Sequence, residues 1–457
     1  MIDFKISFYL HKCTCKFSID TQANKNPVHM LTQGISLRFH ILPLILHKKQ
    51  NKNGGNMKKK TCGLDVHKDT IFCAIYDGKD FSEVKVFSTL TDSIYSMGEY
   101  IQSEGVKEIA LESTGIYWIA IWNILEDMGF NVMLVNPYLI KQMPGCKSDS
   151  KDARWIAKLL HKGLLRGSLV PDKKIRELRT YSRKYVKLQQ RQTSVLQNME
   201  HILEMCSIRI TSYVSNISGK SIINVIRKIV EGETDPEVLI KEIHGRIIKK
   251  HTEATIKASL KGFILEHQRF SLELSLEEYD MLVRQSKECL DKMEELCYKE
   301  YRREMGLLLT IPGINRISAM IIIAETGADM RAFENSRKFN GWTGLRPRND
   351  ESAGKYKSTA TTKGNRHLRA VLVQCAWAAT RIKGSYFKDK YNHLAIRKSG
   401  KKALIAIARK LSSIIWNILY YGEEYDAGKH IIYDPYKLKA KISYHQREVR
   451  RLENLLQ

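Results

Sequence analysis

The sequence lacks the cysteine patterns that organise disulfide-rich and zinc-binding proteins. It has nine cysteines in 457 residues, and no two of them stand at Cys-x-x-Cys spacing. An odd number without such pairs excludes a disulfide framework and a zinc ribbon as the basis of the fold. A run of 18 apolar residues is also missing, so no membrane-spanning helix and no membrane partner are predicted. These absences favour a cytoplasmic protein.

Acidic residues are strongly outnumbered. The chain holds 75 Lys and Arg against 49 Asp and Glu, which gives a formal net charge of +26. An excess of this size favours a polyanionic partner, and nucleic acid is the commonest one. A basic protein without such a partner is the alternative that charge alone leaves open. The length is sufficient for two or three domains with a sizeable core.

The first 56 residues differ from the rest of the chain. They have no sustained helical or strand period, and Gly54-Gly55 stands just before Met57. Two glycine codons can resemble a ribosome-binding sequence, so we expect translation to begin at Met57 and residues 1–56 to be a mis-called or unstructured leader. A genuine basic N-terminal arm is the alternative. The leader holds eight Lys and Arg and two Asp, so the remainder keeps a charge of +20 (26 minus 6).

The apolar pattern predicts an α/β domain followed by helical domains. Residues 57–170 show three strands joined by hairpins and then alternating helices and strands, which is typical of an α/β sheet. Residues 171–305 form a helical middle region, in which 175–205 have the apolar spacing of a long coiled-coil helix. Residues 306–425 form a compact, mostly helical C-terminal domain, and residues 426–457 a basic tail. The pattern leaves 207–270 unorganised.

Four carboxylates in the first domain are candidates for chemistry. Asp65 stands in the middle of an apolar strand, where a charge is costly unless something compensates it. Glu112 ends another strand, while Asp149 and Asp152 share one face at the start of a helix. Converging carboxylates favour Mg²⁺ or Mn²⁺, and paired ions of this kind serve phosphodiester chemistry. Ordinary first-turn residues, favoured by the helix dipole, are the alternative for Asp149 and Asp152.

Two later motifs suit phosphate. The Ile311-Pro312-Gly313-Ile314 turn predicts a helix-hairpin-helix, whose backbone N–H groups around Gly313 can bind phosphate without reading sequence; a plain helix connection is the alternative. A later stretch combines Ser352 with small residues and cations, although a Ser-x-Gly-Lys sequence in a loop is most often only a turn. The cations that we expect to contact nucleic acid are Arg346, Arg348, Lys355, Lys363, Arg366 and Arg369.

With these motifs assembled, the chain resembles the insertion-sequence 110 family of transposases, which includes the insertion-sequence 1111 type. The resemblance covers nearly everything from Met57 to about Tyr421. In the first half it is carried by Gly63-Leu64-Asp65-Val66-His67-Lys68, Glu112-Ser113-Thr114-Gly115, Val135-Asn136-Pro137 and Lys147-Ser148-Asp149-Ser150-Lys151-Asp152-Ala153. In the second half it is carried by Ile311-Pro312-Gly313-Ile314, Gly344-Leu345-Arg346-Pro347 and Lys363-Gly364-Asn365-Arg366-His367-Leu368-Arg369.

The resemblance implies a fold and a set of site residues. The first domain is expected to be RNase H-like (RuvC-like), with a DEDD carboxylate set that maps onto Asp65, Glu112, Asp149 and Asp152. A coiled coil for assembly is implied as well. The family's catalytic serine matches Ser352, in a Ser-Ala-Gly-Lys sequence where the family commonly has Ser-Gly-Gly-Lys. Because of this departure, Ser358 is the alternative position.

The resemblance also implies a function. It implies a recombinase that excises and inserts the DNA element that encodes it. Mg²⁺ would bind at the carboxylates, and Ser352 would attack phosphorus. A structured bridge RNA encoded by the element would pair with target and donor DNA. The family builds its site from two protomers, so a homo-oligomer, dimer or tetramer, is expected. Two alternatives are a Holliday-junction-resolvase-like nuclease with water as nucleophile and a nucleic-acid-binding protein with structural carboxylates.

Overall fold

The computed structural model describes residues 60–113, 115–137, 149–348, 350–352, 355–358, 360–430 and 435–455. The expected leader of residues 1–56 lies outside this part of the chain. The chain divides between Val170 and Pro171 into two compact units. We call described residues 60–170 the sheet unit and described residues 171–455 the helical unit.

The sheet unit is a mixed sheet with helices. Its described strands are β1 (Thr61–Val66), β2 (Thr70–Tyr76), β3 (Lys85–Ser88), β4 (Glu108–Glu112) and β5 (Asn131–Val135), and its described helices are α1 (Thr91–Ser103), α2 (Trp118–Asp127) and α3 (Asp149–His161). The strand order is β3-β2-β1-β4-β5. The pairs β1/β2 and β2/β3 are antiparallel, whereas β1/β4 and β4/β5 are parallel. The α/β class that the sequence predicts is confirmed.

The two faces of the sheet are covered by different helices. Leu64 of β1 and Leu111 of β4 are register partners, and both are fully buried in the core that includes residues of α1 and α2. The opposite face packs against Ile156 and Leu160 of α3. Because side chains alternate along a strand, the residues directly before and after Leu64 and Leu111 in sequence point toward the face covered by α3.

Gly63 allows α3 to lie directly against β1. A methyl group at Gly63 would overlap the carbonyl oxygen of Ala153 and the backbone nitrogen of Ala157. One strand step earlier on the same face, Thr61 Oγ1 donates a hydrogen bond of 3.0 Å to the Ala157 carbonyl oxygen. Moving from Thr61 to Gly63 therefore leads toward the start of α3, so the two elements run antiparallel. The N-terminus of α3 lies at the carboxyl end of β1.

We expect Gly63→Ala to destabilise the sheet unit by about 1–3 kcal/mol, because the added methyl group meets backbone atoms that cannot rotate away. Urea unfolding followed by circular dichroism measures the effect. Gly306→Ala is the matched control, since a methyl group at Gly306 meets nothing within 4 Å and its backbone is helical. That variant should be neutral or more stable by up to about 1 kcal/mol. Equal stability of the two variants would contradict close packing at Gly63.

The helical unit contains thirteen helices and one hairpin among its described residues, apart from short 3₁₀ turns. The helices are α4 (Lys173–Met205), α5 (Lys220–Val230), α6 (Pro236–Leu239), α7 (Gly245–His251), α8 (Glu253–Leu260), α9 (Glu266–Glu300), α10 (Arg302–Leu309), α11 (Arg316–Thr326), α12 (Ser336–Trp342), α13 (Arg366–Ala379), α14 (Tyr386–Arg397), α15 (Gly400–Tyr421) and α16 (Pro435–Asn454). The hairpin consists of β6 (Asp350–Ser352) and β7 (Lys355–Ser358). The predicted mostly helical character is confirmed, and the basic tail contains a helix, α16.

The long helices α4 and α9 form an antiparallel pair. Gln192 of α4 donates to the Ser286 hydroxyl of α9 at 2.7 Å, and Asn198 donates to the Ser275 hydroxyl at 3.0 Å. Higher residue numbers on α4 thus meet lower ones on α9. One end of the pair packs with α5 to α8, which gives an apolar core to the region that the sequence pattern left unorganised. The coiled-coil character of this pair stays a prediction.

One described helix, α15, is long and apolar enough to cross a membrane by length and composition. Half of its most apolar window is buried inside the protein. Ile407, Leu411 and Ile415 have no exposed surface and belong to the core shared with α11 and α13. This burial is that of a central core helix.

Candidate active site

Asp65 and Glu112 lie side by side at one edge of the sheet. Each follows directly after a member of the register pair Leu64 and Leu111 on parallel strands. Both side chains therefore point toward the α3 face, as the Gly63 position does. Asp65 is 5% exposed, whereas Glu112 is partly buried. Strand register alone brings these two predicted carboxylates together.

The N-terminus of α3 supplies the remaining two carboxylate positions. Asp152 directly precedes Ala153, whose carbonyl oxygen lies against Gly63, and Asp149 is the first residue of the helix. From Gly63 to Asp65 the strand advances about 6.6 Å, and from Ala153 back to Asp149 the helix spans about 6 Å. Because the two elements are antiparallel, both steps lead in the same direction. The four positions therefore share the carboxyl end of β1 and β4.

His67 is a neighbour of this group that the sequence analysis missed. Its Nε2 lies 3.3 Å from Asp65 Oδ2, although 41% of the histidine side chain is exposed. The sequence suggests only a solvated turn residue, because His67 follows the last residue of β1. The available signal was its spacing of two from Asp65, which places both side chains on one side of an extended chain.

The donor set fits a hard cation better than a soft one. The four positions offer carboxylate oxygens, which suit Mg²⁺ or Mn²⁺, whereas Zn²⁺ favours nitrogen and sulfur. Among the side chains that the structure describes, no three His, Cys, Asp or Glu groups stand close enough to hold a metal ion. The backbone thus places the four carboxylate positions at one end of the strands, but the described side chains do not form a closed metal-binding site.

Ser352 is the last residue of β6 and pairs with Lys355 of β7. The segment that the sequence pattern suggests to be a loop is therefore a short hairpin, with Ser352 at its turn end. Ser358 pairs with Asp350 at the open end, and its hydroxyl accepts a hydrogen bond of 3.2 Å from the Ala360 N–H. The two candidate serines thus lie at opposite ends of the hairpin.

The chain on either side of the hairpin forms a narrow ladder. The Arg348 N–H donates to the Ala360 carbonyl oxygen at 2.9 Å, and the Thr362 N–H donates to the Arg346 carbonyl oxygen at 2.8 Å. Arg346 and Arg348 are both exposed, with the partly buried Pro347 between them. The ladder holds the two predicted arginines at the open end of the hairpin.

Gly344 and Gly364 let the two chain segments next to this ladder pass close to each other, and we call this place the glycine crossing. Gly344 has a φ of +73°, and a methyl group at Gly364 would overlap the Gly344 nitrogen and the Trp342 carbonyl oxygen. The Asn365 N–H donates to that same Trp342 carbonyl at 2.9 Å. The crossing brings the predicted Lys363 into the neighbourhood of the arginine ladder, and its side chain is exposed.

Asn365 connects the start of α13 to a buried carboxylate. Its Oδ1 accepts hydrogen bonds from the backbone N–H groups of His367 and Leu368, which caps the helix that carries Arg366 and Arg369. Its Nδ2 donates to Glu325 Oε2 at 2.7 Å. The cap therefore depends on a side chain from α11.

Glu325 is a functional candidate that the sequence analysis missed. It has no exposed surface, and Arg183 of α4 donates to both its oxygens, at 2.8 and 2.9 Å. Burial acts to raise the pKa of the Glu325 carboxyl, but the hydrogen bonds from Arg183 and Asn365 outweigh it and the pKa is lowered. The only sequence signal was a charge at the end of the apolar run 319–324.

We expect Glu325→Ala to destabilise the helical unit by about 2–3 kcal/mol, because Asn365 and the partly exposed Arg183 lose their hydrogen bonds to a buried carboxylate. Glu278→Ala is the control: Glu278 pairs with Arg191 at 3.0 Å with both side chains about half exposed, so the loss should stay below about 1 kcal/mol. Urea unfolding at neutral pH measures both. Similar losses would contradict the buried network.

The same network predicts a pH dependence. The pKa of Glu325 is lower in the folded protein than its ordinary value of 4.5, so the unfolded chain takes up the proton first. The stabilisation is complete above that ordinary value and is lost as the pH falls through the folded pKa. The stability difference between the wild type and Glu325→Gln should therefore shrink on acidification below pH 4.5. A difference that grows on acidification would contradict this sign.

Gly313 lies between α10 and α11, where the sequence predicts a helix-hairpin-helix, and that motif stays a prediction. Its φ is +89°, and a methyl group there would overlap the Cys375 carbonyl oxygen and the Ala379 nitrogen of α13. The structure thus gives Gly313 a packing role against α13. Phosphate binding at this turn stays a prediction.

Two family models match the chain in sequence order. A DEDD-type model described as "Transposase" matches residues 62–208, which include Asp65, Glu112, Asp149 and Asp152. A second model, described as "Transposase IS116/IS110/IS902 family", matches residues 305–392, which include Gly313 and Ser352. The matches thus span both groups of candidate residues.

Individual relatives carry transposase names. A Sinorhizobium fredii protein named as transposase y4pF/y4sB is 32% identical over 126 residues, covering 26% of this chain and 32% of that protein. The Coxiella burnetii transposase for insertion sequence element IS1111A is 32% identical over 123 residues, covering 26% and 34%. The chain therefore spans about a third of the length of these two relatives. Another Sinorhizobium fredii protein, named as transposase y4qE, is 22% identical over 400 residues, covering 78% and 87%.

A solved structure of T. thermophilus RuvC in complex with a Holliday junction substrate has a TM-score of 0.20 and 12% identity, covering 24% of this chain and 99% of that chain. A likeness this weak carries no argument. The family models and the named relatives agree with the motifs on both units of the fold. The chain therefore belongs to the insertion-sequence 110 family of transposases.

Proposed function

We propose that the protein is an insertion-sequence transposase that cleaves and rejoins DNA strands. In this proposal Asp65, Glu112, Asp149 and Asp152 hold a divalent cation, and Ser352 is the nucleophile. The observation that carries the proposal is the shared position of the carboxylates at the carboxyl end of β1 and β4. A structural role alone would not require acidic residues at all four positions.

We infer that the sheet unit is an RNase H-like domain. Support comes from the order β3-β2-β1-β4-β5, in which the first strand is central, its hairpin partners are antiparallel and the later strands are parallel. The central strand carries Asp65 at the edge where α3 begins. A central, doubly paired strand is a rigid support for a site residue.

The carboxylates would differ in how far their side chains can move. Asp65 is almost fully buried, so its position is fixed by the sheet. Glu112 and Asp152 are partly buried, which leaves their side chains room to adjust around a phosphate. A bound Mg²⁺ or Mn²⁺ would stabilise the charge that develops on the oxygens of the scissile phosphate. His67 beside Asp65 would help to orient that carboxylate.

Ser352 would conserve the energy of the phosphodiester bond. Attack by its hydroxyl oxygen on phosphorus forms a serine–phosphate ester, and one deoxyribose oxygen leaves with a proton. The reverse reaction with another DNA end releases the serine and rejoins the strand. This balance needs no external energy source, which suits excision followed by insertion.

The proposed partners are DNA and a bridge RNA, and the proposed assembly is a homo-oligomer in the cytoplasm. DNA binding is supported by the net charge, +26 for the full sequence and +20 without residues 1–56 (26 minus 6), and by the exposed Arg346, Lys363 and Arg366 around Gly344 and Gly364. The bridge RNA and the oligomer rest on the family resemblance. The protein would then recognise nucleic-acid shape while base pairing selects sequence.

An excision assay tests the proposal. The gene with its flanking DNA is placed on a plasmid, and the protein is supplied with Mg²⁺. We expect rejoined plasmid without the element and a covalent protein–DNA adduct. Nicked DNA without an adduct would support the resolvase-like nuclease, and retained DNA binding without cleavage would support a binding protein.

A further inference from the structure

Helix α13 has one continuous exposed face. Arg366, Ala370, Gln374, Trp377 and Arg381 follow one another at spacings of four, four, three and four, and all five are exposed. This spacing places them along one side of the helix and its C-terminal extension. The other side of α13 is buried in the core of the helical unit. We call these five residues the α13 face.

Trp377 is the unusual member of the α13 face. The chain has six tryptophans, all of them among the described residues, and Trp377 is the one that is exposed, with 42% of its surface accessible. The Arg381 guanidinium carbon lies 4.2 Å from its ring centroid, and Tyr391 meets it edge-on at 6.4 Å. The Arg381 guanidinium lies over one face of the ring, and the part of the ring that is still accessible to solvent suits a stacking partner.

The chain segment that carries the α13 face is strongly basic. Residues 352–388 contain eight Lys and Arg and no Asp or Glu, and Asp389 follows directly. Arg366 and Arg381 stand at the two ends of the face, about 22 Å apart by helical rise. Cations that flank an exposed aromatic ring are typical of surfaces that bind unpaired nucleic acid. A basic segment of this kind matches a polyanion better than a protein surface of mixed charge.

We propose that the α13 face binds an unpaired DNA strand, with a base stacked at Trp377 and phosphates at Arg366 and Arg381. The inference rests on the proposed function, because strand cleavage and exchange expose unpaired strands. A paired base offers no free ring face, so the aromatic contact selects unpaired over paired DNA. The face therefore holds the strand that is released or captured during exchange.

The experiment compares two substitutions at Trp377 in the full chain without Mg²⁺, so that binding is measured apart from cleavage. Fluorescence anisotropy follows a short labelled DNA of mixed sequence, as single strand and as duplex. Trp377→Leu should raise the Kd for the single strand about tenfold or more, whereas Trp377→Phe should retain most of the affinity. Binding of the duplex should change little. Circular dichroism confirms that both variants fold.

Tyr421→Leu is the matched control. Tyr421 is also an exposed aromatic residue of the helical unit, at 63%, but it lies beside Glu423 and Glu424. We expect single-strand affinity equal to that of the wild type. Salt dependence separates stacking from charge: Arg366→Gln should reduce the slope of log K against log salt by about 0.7, while Trp377→Leu should leave it unchanged.

Several results would overturn the inference. These are equal single-strand affinity of wild type and Trp377→Leu, an equal loss for the duplex, and tighter, Trp377-dependent binding of an RNA of the same sequence. A change in oligomeric state without a change in DNA affinity would assign the face to a protein contact. If excision proceeds while Trp377→Leu binds normally, the inference fails and the proposed function stands.

Discussion

Asp65→Asn is expected to reduce Mg²⁺-dependent strand cleavage at least about a thousandfold, because it removes one charge from the ligand set without changing its shape. Thermal stability without Mg²⁺ should hold or rise, since a carboxylate that is 5% exposed is replaced by a neutral group. The stabilisation that Mg²⁺ gives the wild type should be lost. Cleavage of labelled DNA and thermal melts with and without Mg²⁺ measure these effects.

Asp69→Asn is the matched control for this variant. Asp69 lies in the turn between β1 and β2, is exposed, and its backbone carbonyl oxygen accepts a hydrogen bond from the Thr89 N–H. It should cleave DNA and respond to Mg²⁺ as the wild type does. Asp152→Asn, by contrast, should behave like Asp65→Asn. A large loss of stability without Mg²⁺ in both site variants would mark Asp65 and Asp152 as structural residues and contradict the metal site.

Ser352→Ala is expected to abolish excision and covalent adduct formation together, because no other group takes over the attack on phosphorus. Folding should be unaffected, since a single hydroxyl contributes about 1 kcal/mol at most as a hydrogen-bond partner. Ser352→Cys should retain at most a trace of adduct, because sulfur is a poor ligand for Mg²⁺. Excision assays and denaturing gels of protein–DNA mixtures provide the two measurements.

Ser358→Ala is the control for the serine. Its hydroxyl accepts a hydrogen bond from the Ala360 N–H at the open end of the hairpin, so its loss should cost about 1 kcal/mol of stability and leave excision intact. Full cleavage by Ser352→Ala, combined with an inactive Ser358→Ala, would show that the catalytic serine is Ser358.

The elements of the sheet unit could be predicted from the sequence because their signal is local. A continuous apolar run defines β5 at Asn131–Val135, and the sequence also predicts a helix that begins near Asp149, where α3 begins. Asp65 could also be predicted as a candidate, since a charged residue inside an apolar strand is costly unless something compensates it. Its convergence with Glu112, however, depends on the register of β1 and β4, which no local pattern contains.

The buried network of Glu325 could not be predicted for the same reason. Arg183 and Glu325 are 142 positions apart, and Asn365 is 40 positions beyond Glu325. Helical periodicity shows that α4 and α11 have buried faces, but it does not show which faces meet. The role of Gly63 is similar, because its closest neighbours belong to α3, about 90 residues further along the chain.

The middle region remained unorganised because its helices are short. Helices α6, α7 and α8 have four, seven and eight residues, too few for a clear apolar period and too few to be stable alone. They are held by the core that they share with α4, α5 and α9. Such elements depend on tertiary packing, which a sequence pattern does not reveal.

The most direct test of the central claim is to trap the reaction on DNA, digest the protein and locate a phosphodeoxynucleotide on a peptide by mass spectrometry. We predict the modification on Ser352, in the wild type with Mg²⁺, and its absence from Asp65→Asn and from reactions without Mg²⁺. Active excision with no modified peptide would contradict the serine mechanism and leave water as the nucleophile.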